Sequence, residues 1–122
     1  MRTATPQETF DHLMGAGALQ YGWWVEYKPT GVDADGTVTG DWTAELTCET
    51  GDDDPASKTA VISHQVIMAA ARKVMAELPQ YASETMQGEC AHLVFDADAA
   101  DFDAGTSDEL LQFMVLGEIV FG

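Results

Sequence analysis

The stretch WTAELTCE (residues 42–49) decides the fold of this chain. Apolar side chains occupy every second position of the stretch, and Thr or Glu occupies the positions between them. Because successive side chains of a strand point to opposite faces of a sheet, this period of two predicts a strand with one buried and one wet face.

Two further strands are predicted around it. Trp23–Tyr27 is aromatic and β-branched and is followed by Pro29-Thr30-Gly31, which we expect to end the strand. Residues 58–62 form the third strand, after a turn-forming loop at 51–55. Short connections between three strands favour an antiparallel meander. Neighbours on a strand face opposite ways, so one of Trp23 and Trp24 should be more exposed and is a candidate interface anchor.

Helical patterns flank the strands. Thr5 and Glu8 form a capping box for a first helix, whose apolar stripe extends to Leu19 before Gly22 closes it. From Ser63 the apolar spacing becomes helical, and the helix ends at Pro79.

Two more helices are predicted in the last third of the chain. One begins near Ser83; the other begins at Thr106, which forms a capping box with Glu109. Residues 96–105 lie between them as an acidic loop with one short helical turn. The pattern at 118–121 does not decide between helix and a short strand. The sequence therefore predicts a single acidic α+β domain over 1–122, with a three-stranded antiparallel sheet and three to four helices packed on one face.

Charge is the most informative feature for function. The 122 residues contain 5 Lys and Arg against 21 Asp and Glu, for a net charge of -16. A protein that binds nucleic acid without sequence preference needs Lys and Arg to neutralise phosphates, so this class is excluded. The chain has no apolar run of about 18 residues, and its first residues lack a signal-peptide core, so we expect a cytoplasmic location.

The acidic residues concentrate in two stretches, which are the candidate partner-binding residues: Asp52, Asp53, Asp54, Asp96, Asp98, Asp101, Asp103, Asp108 and Glu109. A domain of this mass has about 6,400 Å² of surface, roughly 400 Å² per net charge. Duplex DNA carries one charge per roughly 100 Å². Mimicry of DNA therefore requires these carboxylates to gather on one side.

Other chemistries find little support. Neither Asp96 nor Asp101 starts a calcium loop of the required spacing, and the His and Cys residues lack zinc-site spacing. No nucleophile elbow or phosphate-binding glycine loop occurs, and Cys48 and Cys90 are expected to be reduced and partly buried. We predict no enzyme, cofactor or metal; an enzyme would need a pocket formed by the two cysteines and a histidine.

The run HLVFDADAADFDAGTSDELLQFMVLGEIVFG (residues 92–122), together with Tyr21-Gly22-Trp23-Trp24, resembles an uncharacterised group of small acidic proteins from actinobacteria and their phages or mobile elements. The resemblance implies a mobile-element origin and a cytoplasmic location, and no activity or site residues. The leading hypothesis is a non-enzymatic inhibitor or adaptor whose carboxylate-rich loops occupy a basic surface of a host protein, with a nucleic-acid-binding host protein and DNA mimicry as its narrower form. The alternative is a small metal- or ligand-binding domain that uses the 96–109 loop.

Overall fold

The structure, a computed structural model, describes all 122 residues and contains three strands and four α-helices. Two short 3-10 helices, Ala18–Gln20 and Ala97–Ala99, supplement them. In chain order the main elements are α1 (Pro6–Met14), β1 (Trp24–Val32), β2 (Val38–Glu49), β3 (Ser57–Ser63), α2 (His64–Ala76), α3 (Glu84–Phe95) and α4 (Ala104–Leu116).

The sheet is the predicted antiparallel meander, in the order β1-β2-β3. In its register, Leu46 of β2 lies between Tyr27 of β1 and Ala60 of β3. The four alternate residues of β2 from Trp42 to Cys48 are fully buried, whereas Glu45 and Glu49 on the other face are not. The period of two therefore predicted the faces correctly.

The helices cover the buried face of the sheet. Helices α1, α2 and α4 contact β2, and α3 packs against α2 and α4. The outer face presents mainly Thr and Glu side chains, and Lys28 there pairs with Glu26 at 3.3 Å. The predicted α+β class, with helices on one face, is confirmed. None of the helices combines the length and the apolar character needed to cross a membrane.

Strand β1 is longer than the sequence predicted, since it continues through Pro29 and ends at Val32. It is an edge strand, and a residue without an N–H group is tolerated where no further strand needs that donor. Gly31 adopts φ +77 beside a bulge, and a Cβ there would lie 2.5 Å from Thr39 Oγ1. Glycine is therefore part of the strand, and the expectation that it ends the strand was wrong.

Helix α1 is shorter than predicted. Its capping box forms as expected, with Thr5 Oγ1 accepting from the Glu8 N–H and Glu8 Oε1 accepting from the Thr5 N–H. The helix nevertheless ends at Met14, capped by Gly15, and Leu19 lies in a separate 3-10 helix. The apolar spacing continues across this break because both segments pack on the same core.

The start of α4 also differs from the prediction. Asp103 is the N-cap, and its Oδ1 accepts from the Thr106 N–H at 2.7 Å, so Thr106 lies inside the first turn. The capping box of Thr106 and Glu109 does not form, because both residues are already helical. The predicted starts of α2 at Ser63 and of α3 near Ser83 are confirmed, and each serine is the N-cap of its helix.

Residues 118–121 form neither a helix nor a strand. The buried side chain of Gln112 positions them instead. Its Oε1 accepts from the N–H groups of Val120 and Phe121, both at 2.9 Å, and its Nε2 donates to the Phe121 carbonyl. One glutamine thus supplies the partners that a strand neighbour would have supplied.

Candidate functional site

A groove with a cavity volume of about 740 Å³ opens beside the first turns of α4. Its walls come from three separate parts of the chain besides α4. The segment before β1 contributes Tyr21 and Trp23, the connection between α2 and α3 contributes Tyr81, and the C-terminal segment contributes residues 118–122. Asp108 and Glu109 of α4 complete it. The fold therefore joins residues up to 101 positions apart into one concave surface.

Three aromatic rings form a stack at this groove. The Trp23 ring lies between Tyr21, with centroids 4.9 Å apart and planes 5° apart, and Phe121, at 5.1 Å and 9°. Tyr21 is 37% exposed and Tyr81, also in the lining, is 78% exposed. The groove therefore offers aromatic rings that remain accessible to a ligand.

Asp108 is the most unusual group of the lining. Its side chain is buried, and its Oδ1 accepts from the indole N–H groups of Trp23 and Trp24 at 2.8 and 2.7 Å. Its Oδ2 accepts from Gln112 Nε2 at 2.8 Å. No Lys, Arg or His lies within ion-pair distance. A carboxylate at a buried position normally has a cation as partner, and this one has neutral donors alone.

This arrangement corrects the expectation for the two tryptophans. Both are half-buried and neither is the exposed partner of the other. Trp23 precedes β1, and a bulge separates Trp24 from Glu26, so the alternation of a regular strand does not apply here.

The first acidic stretch, Asp52, Asp53 and Asp54, is exposed in the loop between β2 and β3. This loop packs on the C-terminal segment: a Cβ on Gly51 would lie 3.4 Å from Val120 Cγ1 and 3.8 Å from Phe121 Cζ. A second hollow of about 130 Å³ is lined by Asp52 together with Glu118 and Val120, and the cation Lys58 also lines it. Since Glu118 and Val120 also line the main groove, the first acidic stretch borders it.

The second acidic stretch is divided. Asp98 pairs with Arg2 at 2.5 Å, half-buried Asp96 is the C-cap of α3, and exposed Asp101 donates its N–H to Glu89. None of these three lines the groove. The 96–109 residues therefore do not act as one loop cluster.

Of the second half of that stretch, Asp108 and Glu109 line the groove and Asp103 does not. Exposed Asp103 caps α4, and the hydrogen bond from the Thr106 backbone holds the pKa of its carboxyl below the ordinary range. Glu109 accepts from the backbone N–H and the hydroxyl of Ser83 at 2.6 and 2.9 Å, which ties α4 to the start of α3. These carboxylates thus have structural roles in addition to their charge.

The groove residues that were not selected from the sequence include Tyr21, Tyr81, Glu118 and Phe121. The aromatic run at 21–24 was noted, but contacts between it and Phe121 leave no periodic signal in the chain. No pattern in the sequence marks Tyr81. In the structure its backbone has φ +69, a left-handed conformation that is rare for a tyrosine.

No hydrogen bond joins a cysteine thiol to a histidine ring: Cys90 Sγ contacts Met86 Sδ, and His92 Nδ1 contacts Glu89 Oε1. Cys48 and Cys90 are buried free thiols, and burial raises the pKa of each to about 12, so both are protonated at neutral pH. His64 Nδ1 lies 2.9 Å from Thr9 Oγ1, and burial lowers its pKa. No group of three or more His, Cys, Asp or Glu side chains is arranged to hold a metal ion.

The charges are unevenly distributed over the structure. Of the 21 carboxylates, 15 are exposed, five are half-buried and Asp108 is buried. Residues 57–76, which comprise β3 and α2, contain no carboxylate and three of the five cations: Lys58, Arg72 and Lys73. The acidic surface therefore excludes β3 and α2 and includes the border of the groove.

No protein-family model, curated protein or solved structure matches the chain. What the groove binds therefore follows from its own side chains. The resemblance to small acidic actinobacterial and phage proteins stays a prediction.

Proposed function

We propose that this protein is a non-enzymatic acidic binding protein that occupies a basic surface of a partner protein. One observation carries the proposal: Glu118 and Val120 join the border of the 52–54 loop to the groove lined by Asp108 and Glu109. Parts of both acidic stretches thereby meet around an aromatic cavity. Such a surface combines long-range attraction of cations with an apolar contact area.

The charge balance supports a basic partner. Arg2 and Lys28 are engaged in ion pairs, and Lys73 lies 5.9 Å from the centroid of the Phe113 ring. Lys58 and Arg72 are the two remaining exposed cations, against 15 exposed carboxylates. A net charge of -16 is about twice the upper end usual for a small domain, and it repels acidic partners while steering basic ones.

We further propose a nucleic-acid-binding host protein as the partner, with DNA mimicry as the narrower form of the function. The accessible surface of 6400 Å² divided by 16 net charges gives about 400 Å² per charge, against roughly 100 Å² for duplex DNA. A mimic therefore needs the acid-rich side alone to contact the partner. A mobile-element origin and a cytoplasmic location belong to the same proposal and derive from the sequence resemblance.

The experiment immobilises the chain, recovers partners from an actinobacterial lysate, and measures the affinity of the purified partner at several salt concentrations. We expect affinity to fall at least tenfold between about 50 mM and about 500 mM salt, because exposed charges are screened within a few ångströms at high ionic strength. Affinity that does not change with salt contradicts the proposal.

Matched variants separate the acidic loop from total charge. The triple variant Asp52→Asn, Asp53→Asn, Asp54→Asn should weaken binding more than Asp35→Asn, Asp41→Asn, Glu77→Gln, which removes the same charge from other exposed positions. Equal effects of the two variants contradict a role for the loop. Displacement of the partner by duplex DNA supports mimicry, and simultaneous binding of DNA and this protein overturns it.

The second candidate is a small-ligand-binding domain, and the groove of about 740 Å³ favours it over the metal-binding form, because pockets for small ligands have comparable volumes. Thermal melting with and without EDTA, calcium, magnesium or zinc tests the metal form. An unchanged melting temperature removes it.

A further inference from the structure

We propose that the groove beside the Tyr21, Trp23 and Phe121 stack accepts an arginine side chain of the partner protein. This inference rests on the proposed function and identifies the group that anchors the partner. Three properties of the groove carry it: the sign of its charges, its accessible aromatic rings and its extended shape.

Every charged side chain of the lining is negative. Asp108, Glu109 and Glu118 line the groove, and no Lys, Arg or His does. Asp108 and Glu109 accept hydrogen bonds from neutral donors only. A cation that enters the groove therefore supplies the counter-charge that the fold itself does not provide.

Glu118 is the carboxylate best placed to receive that cation. It is exposed, it lines both hollows, and no side chain or backbone group of the chain donates a hydrogen bond to it. Its two oxygens are free for a bidentate bond, which a guanidinium forms with good geometry.

The aromatic rings select a planar cation. Tyr21 and Tyr81 have exposed ring surface in the lining, whereas both faces of Trp23 are covered by its neighbours in the stack. A guanidinium stacks on a tyrosine ring and at the same time directs its N–H groups to a carboxylate in its plane. An ammonium has no plane and a stronger hydration shell, so lysine is the weaker ligand here.

The shape of the groove favours a side chain on a polypeptide over a free small cation. The second hollow shares Glu118 and Val120 with the groove and is also lined by Asp52 and Lys58, so a chain segment that follows the surface from one hollow to the other contacts both. Ile119 and Val120 offer apolar surface for the methylene groups of an arginine. Tyr, Trp and Arg are also the residues that most often dominate the energy of protein interfaces.

The test titrates the full chain with a capped Gly-Gly-Arg-Gly-Gly peptide and follows the indole N–H signals by NMR. Trp23 and Trp24 report on the groove, because both indoles bond to Asp108. Trp42 is the internal control, since it is fully buried and donates to the Pro6 carbonyl in the core. We expect saturable shifts of the first two signals and none of the third.

Two matched peptides define the chemistry. Citrulline in place of arginine keeps the shape and removes the charge, and we expect at least tenfold weaker binding. Lysine keeps the charge and removes the plane, and we expect at least threefold weaker binding. Equal affinity of the citrulline peptide overturns the proposal, and equal affinity of the lysine peptide overturns the choice of arginine.

Two matched variants locate the site. Glu118→Gln should weaken the arginine peptide at least fivefold, and Asp35→Asn should change its affinity less than twofold. Asp35 is also exposed and loses the same charge, but it lies in the turn at the opposite end of β1 from the groove. Equal effects mean that total charge attracts the peptide, which overturns the groove as its site.

The outcomes also separate this inference from the proposed function. If the groove does not bind arginine specifically but partner binding still depends on salt, only the arginine anchor is refuted. If the groove binds arginine specifically but partner affinity changes neither with salt nor with the charge of the 52–54 loop, only the proposed function is refuted.

Discussion

Trp23 and Trp24 are adjacent in sequence, yet both direct their indole N–H groups to the same oxygen of Asp108, at 2.8 and 2.7 Å. The carboxylate thus joins the segment before β1 to α4, and through Gln112 it also holds residues 120–121. One buried acid therefore organises three walls of the groove.

Removal of this carboxylate should be costly. Asp108→Ala leaves two indole N–H groups and one N–H of the Gln112 amide without an acceptor, while the other amide N–H keeps the Phe121 carbonyl, and each buried unsatisfied donor costs about 1–3 kcal/mol. We expect a loss of about 3 kcal/mol in the free energy of unfolding, measured by urea denaturation. Asp53→Ala, in the exposed loop, should change it by less than about 0.5 kcal/mol. A cost below about 1 kcal/mol for Asp108→Ala would show that the three donors find other partners.

Asp103 has a structural role that its exposed position conceals. As the N-cap of α4 it satisfies the Thr106 N–H, so Asp103→Ala should cost about 1 kcal/mol, whereas Asp103→Asn, which keeps the acceptor, should cost less. The exposed Asp101, two residues earlier, is the control position. Urea denaturation of the three variants measures the differences, and equal stability of Asp103→Ala and Asp101→Ala contradicts the assignment.

The stability that Asp103 provides should also depend on pH. Its folded pKa lies below the ordinary 3.8, because the carboxylate accepts backbone hydrogen bonds. The folded state therefore binds this proton less tightly than the unfolded state. The contribution is fully present above pH 3.8 and is lost as the pH falls through the folded pKa. The stability difference between the wild type and Asp103→Ala should shrink over that range.

The two thiols should be inert in the native protein. Cys48 and Cys90 are fully buried, with pKa values raised to about 12, so a thiol reagent at pH 8 should modify neither without denaturant and both with it. Because the folded pKa exceeds the ordinary 9.0, the unfolded state loses its protons first. Stability should therefore fall as the pH rises from 9 towards 12. Rapid labelling of the native protein contradicts the placement of these thiols in the core.

Local patterns in the sequence predicted the sheet and most helix starts for physical reasons. The alternation at 42–49 arises because one face of the sheet is buried and the other is not. Thr5, Ser63 and Ser83 cap helices by accepting hydrogen bonds from the backbone three positions ahead. These signals are local, so they survive in the chain as spacing. The start of α4 was the exception: Asp103 caps the helix in place of the predicted Thr106, and Glu109, the predicted partner of Thr106, bonds Ser83.

The groove could not be predicted in the same way. The Trp23 and Phe121 rings stack across 98 positions of sequence, and the side chain of Gln112 replaces the strand that the pattern at 118–121 left open. The acidic stretches misled for a related reason. The sequence shows how many carboxylates a stretch contains, but it does not show which group each one contacts. Asp98 bonds to Arg2 and Asp108 bonds to two indoles, and only the tertiary structure determines these partners.

Tyr81 gives the last prediction, in which stability and binding change in opposite directions. It is 78% exposed and has φ +69, and a tyrosine in this left-handed conformation is strained by about 1 kcal/mol. Asparagine tolerates the conformation better, so Tyr81→Asn should raise the free energy of unfolding by about 0.5–1 kcal/mol. The same change removes an exposed ring of the groove, so it should weaken the arginine peptide at least threefold. Urea denaturation and the NMR titration measure the two effects on the same sample. A more stable variant that binds the peptide as well as the wild type would mean that the ring has no part in binding, and the strain would then have no functional explanation.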